Sequence, residues 1–365
     1  MTAQAPEALG HTRRAGTDGR SASSRAEADS RPAGAGGPLL VVDQLVKHFP
    51  ITRGLLRRTV GHVRAVDGVS FTIGRGETVG LVGESGCGKS TVARMVLRLI
   101  APTSGSIRFD GTELTGLSAR AMKPHRRRMQ IVFQDPFSSL NPRMRIVESV
   151  GEPLVTHGIA TGAAKRRRVC ELMELVGLSA SDVDRYPHQF SGGQAQRIGI
   201  ARALATNPDL IVCDEAVSSL DVSVQAQVLN LLKRLQQELG LSYLFIAHDL
   251  NVVRYLSDRV YVMYLGRIVE VGPSETLMAQ PQHPYTEALI GSIATAGTSG
   301  IRRRRIVARG EVPSPSRPPS GCHFHPRCPK VFDPCRTQSP PLYRLPDGQL
   351  SACHLRAEIA EGQDG

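Results

Sequence analysis

The stretch Gly83-Glu84-Ser85-Gly86-Cys87-Gly88-Lys89-Ser90 constrains this chain more than any other segment, because it follows the apolar run Thr78–Val82 directly and opens a helical pattern near Lys89. A strand, a glycine-rich turn and a helix in that order build a cradle for phosphate. Successive backbone N–H groups curl round phosphate oxygens, and the helix N-terminus adds its partial positive charge. Lys89 is then placed to reach the β and γ phosphates, and Ser90 to hold Mg²⁺. A glycine-rich turn that merely caps a helix has no need of the lysine and the hydroxyl in that order.

A second apolar run, Asp209-Leu-Ile-Val-Cys-Asp214-Glu215, ends in two acids. Asp214 suits the shell of a Mg²⁺ ion. Glu215, just past the strand tip, is placed to orient an attacking water while the metal and Lys89 neutralise developing charge. Between the two motifs lies Phe190-Ser191-Gly192-Gly193-Gln194, opening a predicted helix through Ile198–Ala205. Ser191 can cap that helix, and the glycines allow an anion to approach closely. Taken alone this is equally a simple helix cap. With one phosphate loop already serving one nucleotide, it makes best sense as completing a nucleotide site on another subunit.

The 365 residues suggest roughly two domains. Strand-like runs begin at Leu39 and recur at Val69–Ile73 and Thr78–Val82, with Gly74–Gly76 as a turn. Leu210–Cys213 and Tyr243–Ala247 alternate with the helical pattern Val222–Leu239, which predicts an α/β sheet with parallel strands. The segment from about Arg145 to Leu204 reads as mostly helix. It is expected as a helical subdomain within an ATPase domain spanning 38–292. Residues 1–37 read as a disordered arm, with no apolar core of a secretory signal. No apolar run approaches the roughly 18 residues of a transmembrane helix, so a cytosolic protein is expected.

Gly83–Ser90, Gln134, Ser191–Gln194, Asp214-Glu215, Ser219-Leu220-Asp221 and His248 resemble, in order and spacing, the nucleotide-binding subunits of ABC transporters. The resemblance covers roughly Leu39–Ser292. Within that family, Phe133-Gln134-Asp135-Pro136-Phe137-Ser138-Ser139-Leu140-Asn141-Pro142 and His283-Pro284-Tyr285-Thr286 are similar to the oligopeptide and dipeptide importer ATPases. The resemblance implies a P-loop NTPase fold of ABC type, with a parallel-sheet core, an antiparallel β subdomain and a helical subdomain. It implies ATP and Mg²⁺ as ligands. Gly83, Glu84, Ser85, Gly86, Cys87, Gly88, Lys89, Ser90 and Thr91 would then bind the nucleotide, with Ser90, Gln134 and Asp214 about the Mg²⁺.

Lys89, Glu215 and His248 are the catalytic group that the resemblance implies, His248 as the switch residue that contacts the γ phosphate. Gln134 matches the glutamine that passes nucleotide state to membrane subunits. Asp221, with Ser191, Gly192, Gly193 and Gln194, matches positions that act across a dimer seam. Phe49 matches the aromatic that stacks on adenine, although tyrosine is common there and a core phenylalanine is an ordinary alternative. Phe190 stands where most of the family has leucine, and Ala195 where a basic residue is frequent. Neither departure removes a phosphate contact, so an active hydrolytic site is expected.

After Ile301 come Arg302–Arg305, ten of the 24 prolines and four of the seven cysteines, which predicts a separate appendage within 293–365. Its spacing, Cys322-x5-Cys328-x6-Cys335-x17-Cys353, supplies four thiols where little apolar material exists for a core. Two disulfides are chemically possible, but a cytosolic ATPase favours metal ligation. The spacing departs from paired Cys-x2-Cys zinc ligands. Gly321-Cys322-His323-Phe324 and Arg327-Cys328-Pro329 resemble the C-terminal region of peptide-importer ATPases, some of which carry a 4Fe-4S cluster on four cysteines. Zinc or metal-free thiols are the alternatives, with His323, His325 and His354 as spare ligands. Cys87, Cys170 and Cys213 read as small apolar fillers.

The resemblance implies a peripheral subunit on the cytoplasmic face of the membrane, paired with a second ATPase that is either an identical chain or, as peptide importers resembling this one generally have, a paralogue. Two permease subunits and, indirectly, an extracytoplasmic peptide-binding protein would complete the machine. Nickel or another solute stays open as cargo. A soluble ABC-type ATPase acting on DNA or ribosomes is the rival that a net charge of +12 invites. A single ATPase copy, with about 125 residues from Lys89 to Asp214, argues against it. A scaffold that binds nucleotide without turnover would not need Glu215 and His248. The basic clusters Arg126–Arg128, Lys165–Arg168 and Arg302–Arg305 lack interleaved aromatics for stacking bases, so no nucleic acid is expected. They read as solvated faces or as neighbours of anionic lipid.

Overall fold

Three short apolar runs form the centre of the fold because every residue in them is covered on both faces, the pattern of strands inside a parallel sheet. They are β3 (Thr78–Val82), β7 (Leu210–Asp214) and β8 (Ser242–Ala247), buried throughout. A computed structural model of the chain describes residues 37–54, 58–293 and 310–361. Ahead of β3 lie β1 (Leu40–Arg53) and β2 (Arg58–Ile73), followed by β4 (Ser104–Phe109), β5 (Thr112–Glu113) and β6 (Met129–Val132). Beyond β8 come β9 (Arg259–Tyr264), β10 (Arg267–Pro273), β11 (Tyr343–Arg344) and β12 (Leu350–Ser351).

The main sheet has the order β11-β12-β10-β9-β3-β8-β7-β6, parallel from β9 through β6 and antiparallel from β10 outward. A second, antiparallel sheet runs β2-β1-β4-β5. Because side chains alternate along a strand, β7 and β8 feed two cores at once. Leu210, Val212, Leu244 and Ile246 join the core shared with the antiparallel sheet and the helix Lys89–Val96. Ile211, Cys213, Tyr243 and Phe245 join the core of the helical side. There the helices Ile146–Thr156, Gly162–Leu175 and Gly192–Leu204 bury Val150, Leu154, Leu172, Met173 and Ile198.

The predicted α/β architecture with its two subdomains is the one observed. The helix Val222–Leu239 and strand Thr78–Val82 match their predicted bounds. The first two strands run longer than their apolar patterns: β1 continues past Val46 through Lys47 and His48 to Arg53, and β2 begins at Arg58, well before Val69, because polar residues alternate into both on the accessible side. The hairpin of β9 and β10 and the four-residue β6 are strands that the sequence reading leaves out.

The C-terminal region is not a separate body. β12 pairs with β10 and carries the main sheet outward, with Ser351 opposite Glu270 and Leu350 opposite Val271. Phe324, Leu345 and Cys353 are buried, Phe324 within the helical-side core. A segment with little apolar material of its own folds by borrowing the edge of a larger sheet.

Two of the basic clusters are tied to the protein's own acids. Arg128 meets Asp110 at 2.7 Å and also Asp209. Lys165 meets Glu148 at 2.6 Å, Arg166 pairs with Asp184 and Arg168 lies 3.0 Å from Glu171. Arg302–Arg305 and residues 1–36 lie outside the described residues. Among the described residues no helix is long and apolar enough to cross a membrane.

Candidate active site

The turns after β3, β6, β7 and β8 leave the carboxyl ends of neighbouring strands, where open α/β sheets place ligands. Gly83, Gln134, Glu215 and His248 each follow one of these strands. The phosphate loop presses so closely on the body that only hydrogen fits at two positions. A Cβ on Gly83 would stand 2.1 Å from the Met263 carbonyl oxygen, and one on Gly88 2.1 Å from that of Ala65. Gly88 also holds φ at 112°, a conformation that L side chains rarely adopt.

Lys89 opens the following helix, and its side chain is only 4% exposed. Its ammonium donates to the carbonyls of Gly83 (2.8 Å) and Glu84 (3.0 Å) and lies 4.0 Å from Glu215 Oε1. The Ser90 hydroxyl donates to Asp214 Oδ1 at 2.8 Å. Gln134 Nε2 donates to Glu215 Oε2 at 3.1 Å, and His248 Nδ1 lies 3.5 Å from the same oxygen. One carboxylate therefore gathers an amide, an imidazole and an ammonium from three other loops. Glu215 holds φ at 52°, a left-handed conformation costly for a non-glycine residue, while its N–H donates to the Ile246 carbonyl. Strain of this kind persists only where the surroundings hold it.

Burial pushes the Asp214 carboxyl up, the Ser90 hydrogen bond opposes this, and the neighbouring Glu215 charge adds to the rise. Two adjacent acids beside one lysine leave negative charge to be met. The Ser90 hydroxyl and the Asp214 carboxylate are hard oxygen donors, so the donor set fits Mg²⁺. Bound there, Mg²⁺ would neutralise charge on the β and γ phosphates. The chain's own residues would then hold water on Glu215 and keep that carboxylate aimed through Gln134 and His248.

The remaining predicted positions lie apart from this cluster. Ser191 and Gln194 form a capping box, the Ser191 hydroxyl accepting from Gln194 N (3.3 Å) and Gln194 Oε1 from Ser191 N (3.0 Å). Gly192 and Gly193 form the first turn of that helix. Asp221 caps Val222–Leu239 by accepting from Val224 N at 3.0 Å. The preceding Ser219 hydroxyl donates to the Gln134 carbonyl at 3.2 Å, linking that turn to the cluster. Phe49 stands exposed on β1, with the Lys47 ammonium 5.1 Å from its ring centre. Cys87 and Cys213 are buried fillers, as expected, and Cys170 is half-buried.

Cys322, Cys328, Cys335 and Cys353 line one small cavity of about 10 Å³, room for a single water, with His283, Phe324, His325 and His354 among the other walls. All four are free thiols. Burial, with the other cysteines nearby, pushes the Cys322 and Cys353 thiols up to about 11 and raises Cys328 as well. Among the described residues no three His, Cys, Asp or Glu side chains are grouped so as to hold a metal ion. His325 Nδ1 lies 3.0 Å from the Cys322 carbonyl and His354 Nε2 2.9 Å from that of Gln338, so one nitrogen of each ring meets a backbone oxygen.

Sequence reading missed two contacts on the phosphate loop. The Glu84 N–H donates to the Tyr285 hydroxyl at 2.8 Å, and Arg327 reaches the Glu84 carboxylate. Both residues stand in the motifs that carried the resemblance, but no spacing rule connects residues some two hundred positions apart.

A parallel sheet with a phosphate loop after one strand, paired acids after another and a helical subdomain between them defines an ATP-binding cassette. Residues 66–218 match the ABC transporter family, and residues 269–335 match the oligopeptide/dipeptide transporter C-terminal region. The oligopeptide transport ATP-binding protein AppF of Bacillus subtilis is 51% identical over 319 residues, covering 87% of this chain and 97% of that protein. A relative from Sinorhizobium fredii, named "Probable peptide ABC transporter ATP-binding protein y4tS", is 53% identical over 322 residues, covering 88% and 91%. Among solved structures, the dimeric ATP-binding cassette MJ0796, in a post-hydrolysis state bound to ADP and Pi, superposes with a TM-score of 0.58. It is 29% identical and covers 64% of this chain and 98% of that one. The cbiO1 protein of Clostridium perfringens, part of the ABC transporter complex cbiONQ, gives 0.57 at 28% identity, covering 67% and 91%. The chain belongs to the ABC transporter family, as an ATP-binding ATPase subunit with the peptide-transporter type of C-terminal region.

Proposed function

We propose that this chain is the ATP-hydrolysing subunit that energises a peptide importer from the cytoplasmic face of the membrane. The observation that carries the catalytic part is Glu215, tied to Gln134, His248 and Lys89 beside the Ser90–Asp214 pair. Glu215 accepts a proton from the attacking water, Lys89 and the Mg²⁺ site balance the phosphates, and Gln134 relays the state of the site to the membrane subunits. The relatives' names, with their peptide and oligopeptide transport, support the cargo.

The signature turn at Ser191–Gln194 and the cap at Asp221 bond only within their own helix ends or the neighbouring turn. They are available to complete the nucleotide site of a second ATPase subunit, a paralogue of this chain. Phe49, exposed on β1, offers its ring to adenine. Two permease subunits, fed by an extracytoplasmic peptide-binding protein, provide the path.

The four tail cysteines hold a 4Fe-4S cluster in the same reading. Cys322, Cys328, Cys335 and Cys353 would hold the cluster through their thiolates. Four free thiols lining one cavity are what support this reading, with zinc as its alternative.

The test is co-expression with candidate permeases and reconstitution into vesicles under nitrogen. ATP-dependent uptake of labelled peptide, with iron and acid-labile sulfide in the purified chain, is the expected result. Uptake of no peptide but of another solute overturns the cargo, and a colourless, iron-free chain overturns the cluster.

A further inference from the structure

An acidic side chain within an anion-binding loop is electrostatically unfavourable, and Glu84 is the second residue of this one. Its neutralising partner comes from the far end of the chain. Arg327 Nη1 donates to Glu84 Oε2 at 2.7 Å and Nη2 to Oε1 at 3.0 Å, a bidentate fork. The Arg327 side chain is 9% exposed and Glu84 28%. The guanidinium also lies 3.4 Å from the Tyr264 hydroxyl and about 6 Å from the ring centres of Tyr264 and Phe324.

The loop backbone at Glu84 is held from the same direction. Its N–H donates to Tyr285, whose ring centre is 4.6 Å from that of Tyr264 and 5.4 Å from that of Phe324. Arg327 itself is fixed by the turn between Cys322 and Cys328, where its N–H donates to the Phe324 carbonyl at 3.0 Å. All three polar groups of Glu84 are thus engaged: carboxylate by Arg327, N–H by Tyr285, carbonyl by Lys89.

We infer that Arg327 is a positioning residue of the nucleotide site: it cancels the Glu84 charge and holds that carboxylate away from the phosphates, making the C-terminal region part of the ATP site. The inference rests on Gly83–Ser90 being the ATP phosphate loop. Freed from Arg327, a half-exposed Glu84 carboxylate would repel the nucleotide's own negative charge. Removing Glu84 as well would lift the repulsion.

The experiment is ATP binding to the full chain by calorimetry, with KM and kcat for ATP in the assembled complex. R327M is expected to weaken ATP binding about tenfold and raise KM in step, with kcat within about twofold. The double variant E84Q/R327M is expected to bind ATP at least about threefold more tightly than R327M, since it removes the Glu84 charge and leaves the loop backbone in place. Loss of a merely structural contact gives no such rescue. R327M binding ATP as tightly as the unmodified chain overturns the inference, and so does a double variant as weak as R327M. If R327M does not fold, R327Q, which keeps a donor but not the charge, carries the same two outcomes. K89A separates the levels: lost binding in K89A beside unchanged binding in R327M sinks the clamp alone, whereas K89A binding normally sinks the phosphate-loop reading beneath it.

Discussion

The loops around Glu215 and the cysteine-bearing C-terminal region are held by different means. At Glu215, three polar side chains, each from a segment that follows another strand, meet on one carboxylate. In the C-terminal region, a two-residue strand pairing and the ring cluster of Tyr264, Tyr285, Phe324 and His283 fasten a segment that has little core of its own. The polar cluster gains its geometry from backbone sterics, the aromatic cluster from buried area. Substitutions in the first should strike nucleotide chemistry, and substitutions in the second should strike stability.

The largest effect is expected at Gly88. In G88A the new methyl group meets the Ala65 carbonyl and the backbone must keep φ near 112°. ATP affinity should fall at least about a hundredfold, with stability lowered by about 2–4 kcal/mol. Calorimetric titration with ATP checks this, and near-normal affinity would mean that the loop has room the structure denies it.

Phe324 tests the other region. F324A empties a fully buried ring site shared by Tyr264, Tyr285 and His283 and should cost about 3–5 kcal/mol in denaturant unfolding. Limited proteolysis should then cut within 310–361 before the sheet core. A loss below about 1 kcal/mol would break the contrast, since the rings would not be what fastens the region.

The smallest effect is expected at the seam, where Glu270 of β10 is wholly buried. Its carboxylate accepts from the N–H groups of Gln282 (2.6 Å) and His283 (2.9 Å), with Thr286 and Arg356 also facing it. Burial pushes this carboxyl up from 4.5 to about 7, while burial pushes the neighbouring His283 down to about 3. A folded-state value above the unfolded one means that the native chain binds the proton more tightly. The stability which Glu270 contributes is therefore complete below about pH 4.5 and is lost as pH rises toward 7, by at most about 3 kcal/mol. His283 acts in the opposite sense over about pH 3 to 6.5, so the comparison must be with E270Q at each pH. The stability of the unmodified chain relative to E270Q should decline from pH 4.5 to 7, and a constant difference would remove Glu270 as a titrating group.

The same contrast explains what the sequence made legible. Gly83–Ser90, Asp214-Glu215 and Ser191–Gln194 are read from sequence because the first two follow strand ends and the third caps a helix, so that their residue types follow from local geometry. Gln134 and His248 needed the ordered series of motifs, since a polar residue after a strand carries little signal alone. Arg327, Tyr285 and the β10–β12 pairing were out of reach. They depend on chain segments that meet only after the sheet has formed, and a two-residue strand such as Leu350–Ser351 has no periodicity to detect. The pairing of Arg128, Lys165 and Arg166 with Asp110, Glu148 and Asp184 was likewise out of reach, since no local pattern links these residues to acids 17 or 18 positions away.

The most direct test of the account is ATP turnover by E215Q in the assembled complex, measured beside ATP binding. Glutamine preserves the shape that Gln134 and His248 meet and removes the proton acceptor. Turnover should fall by about 10²–10⁴-fold with ATP affinity nearly unchanged. Turnover equal to that of the unmodified complex would contradict the assignment of Glu215 and with it the catalytic reading of the site.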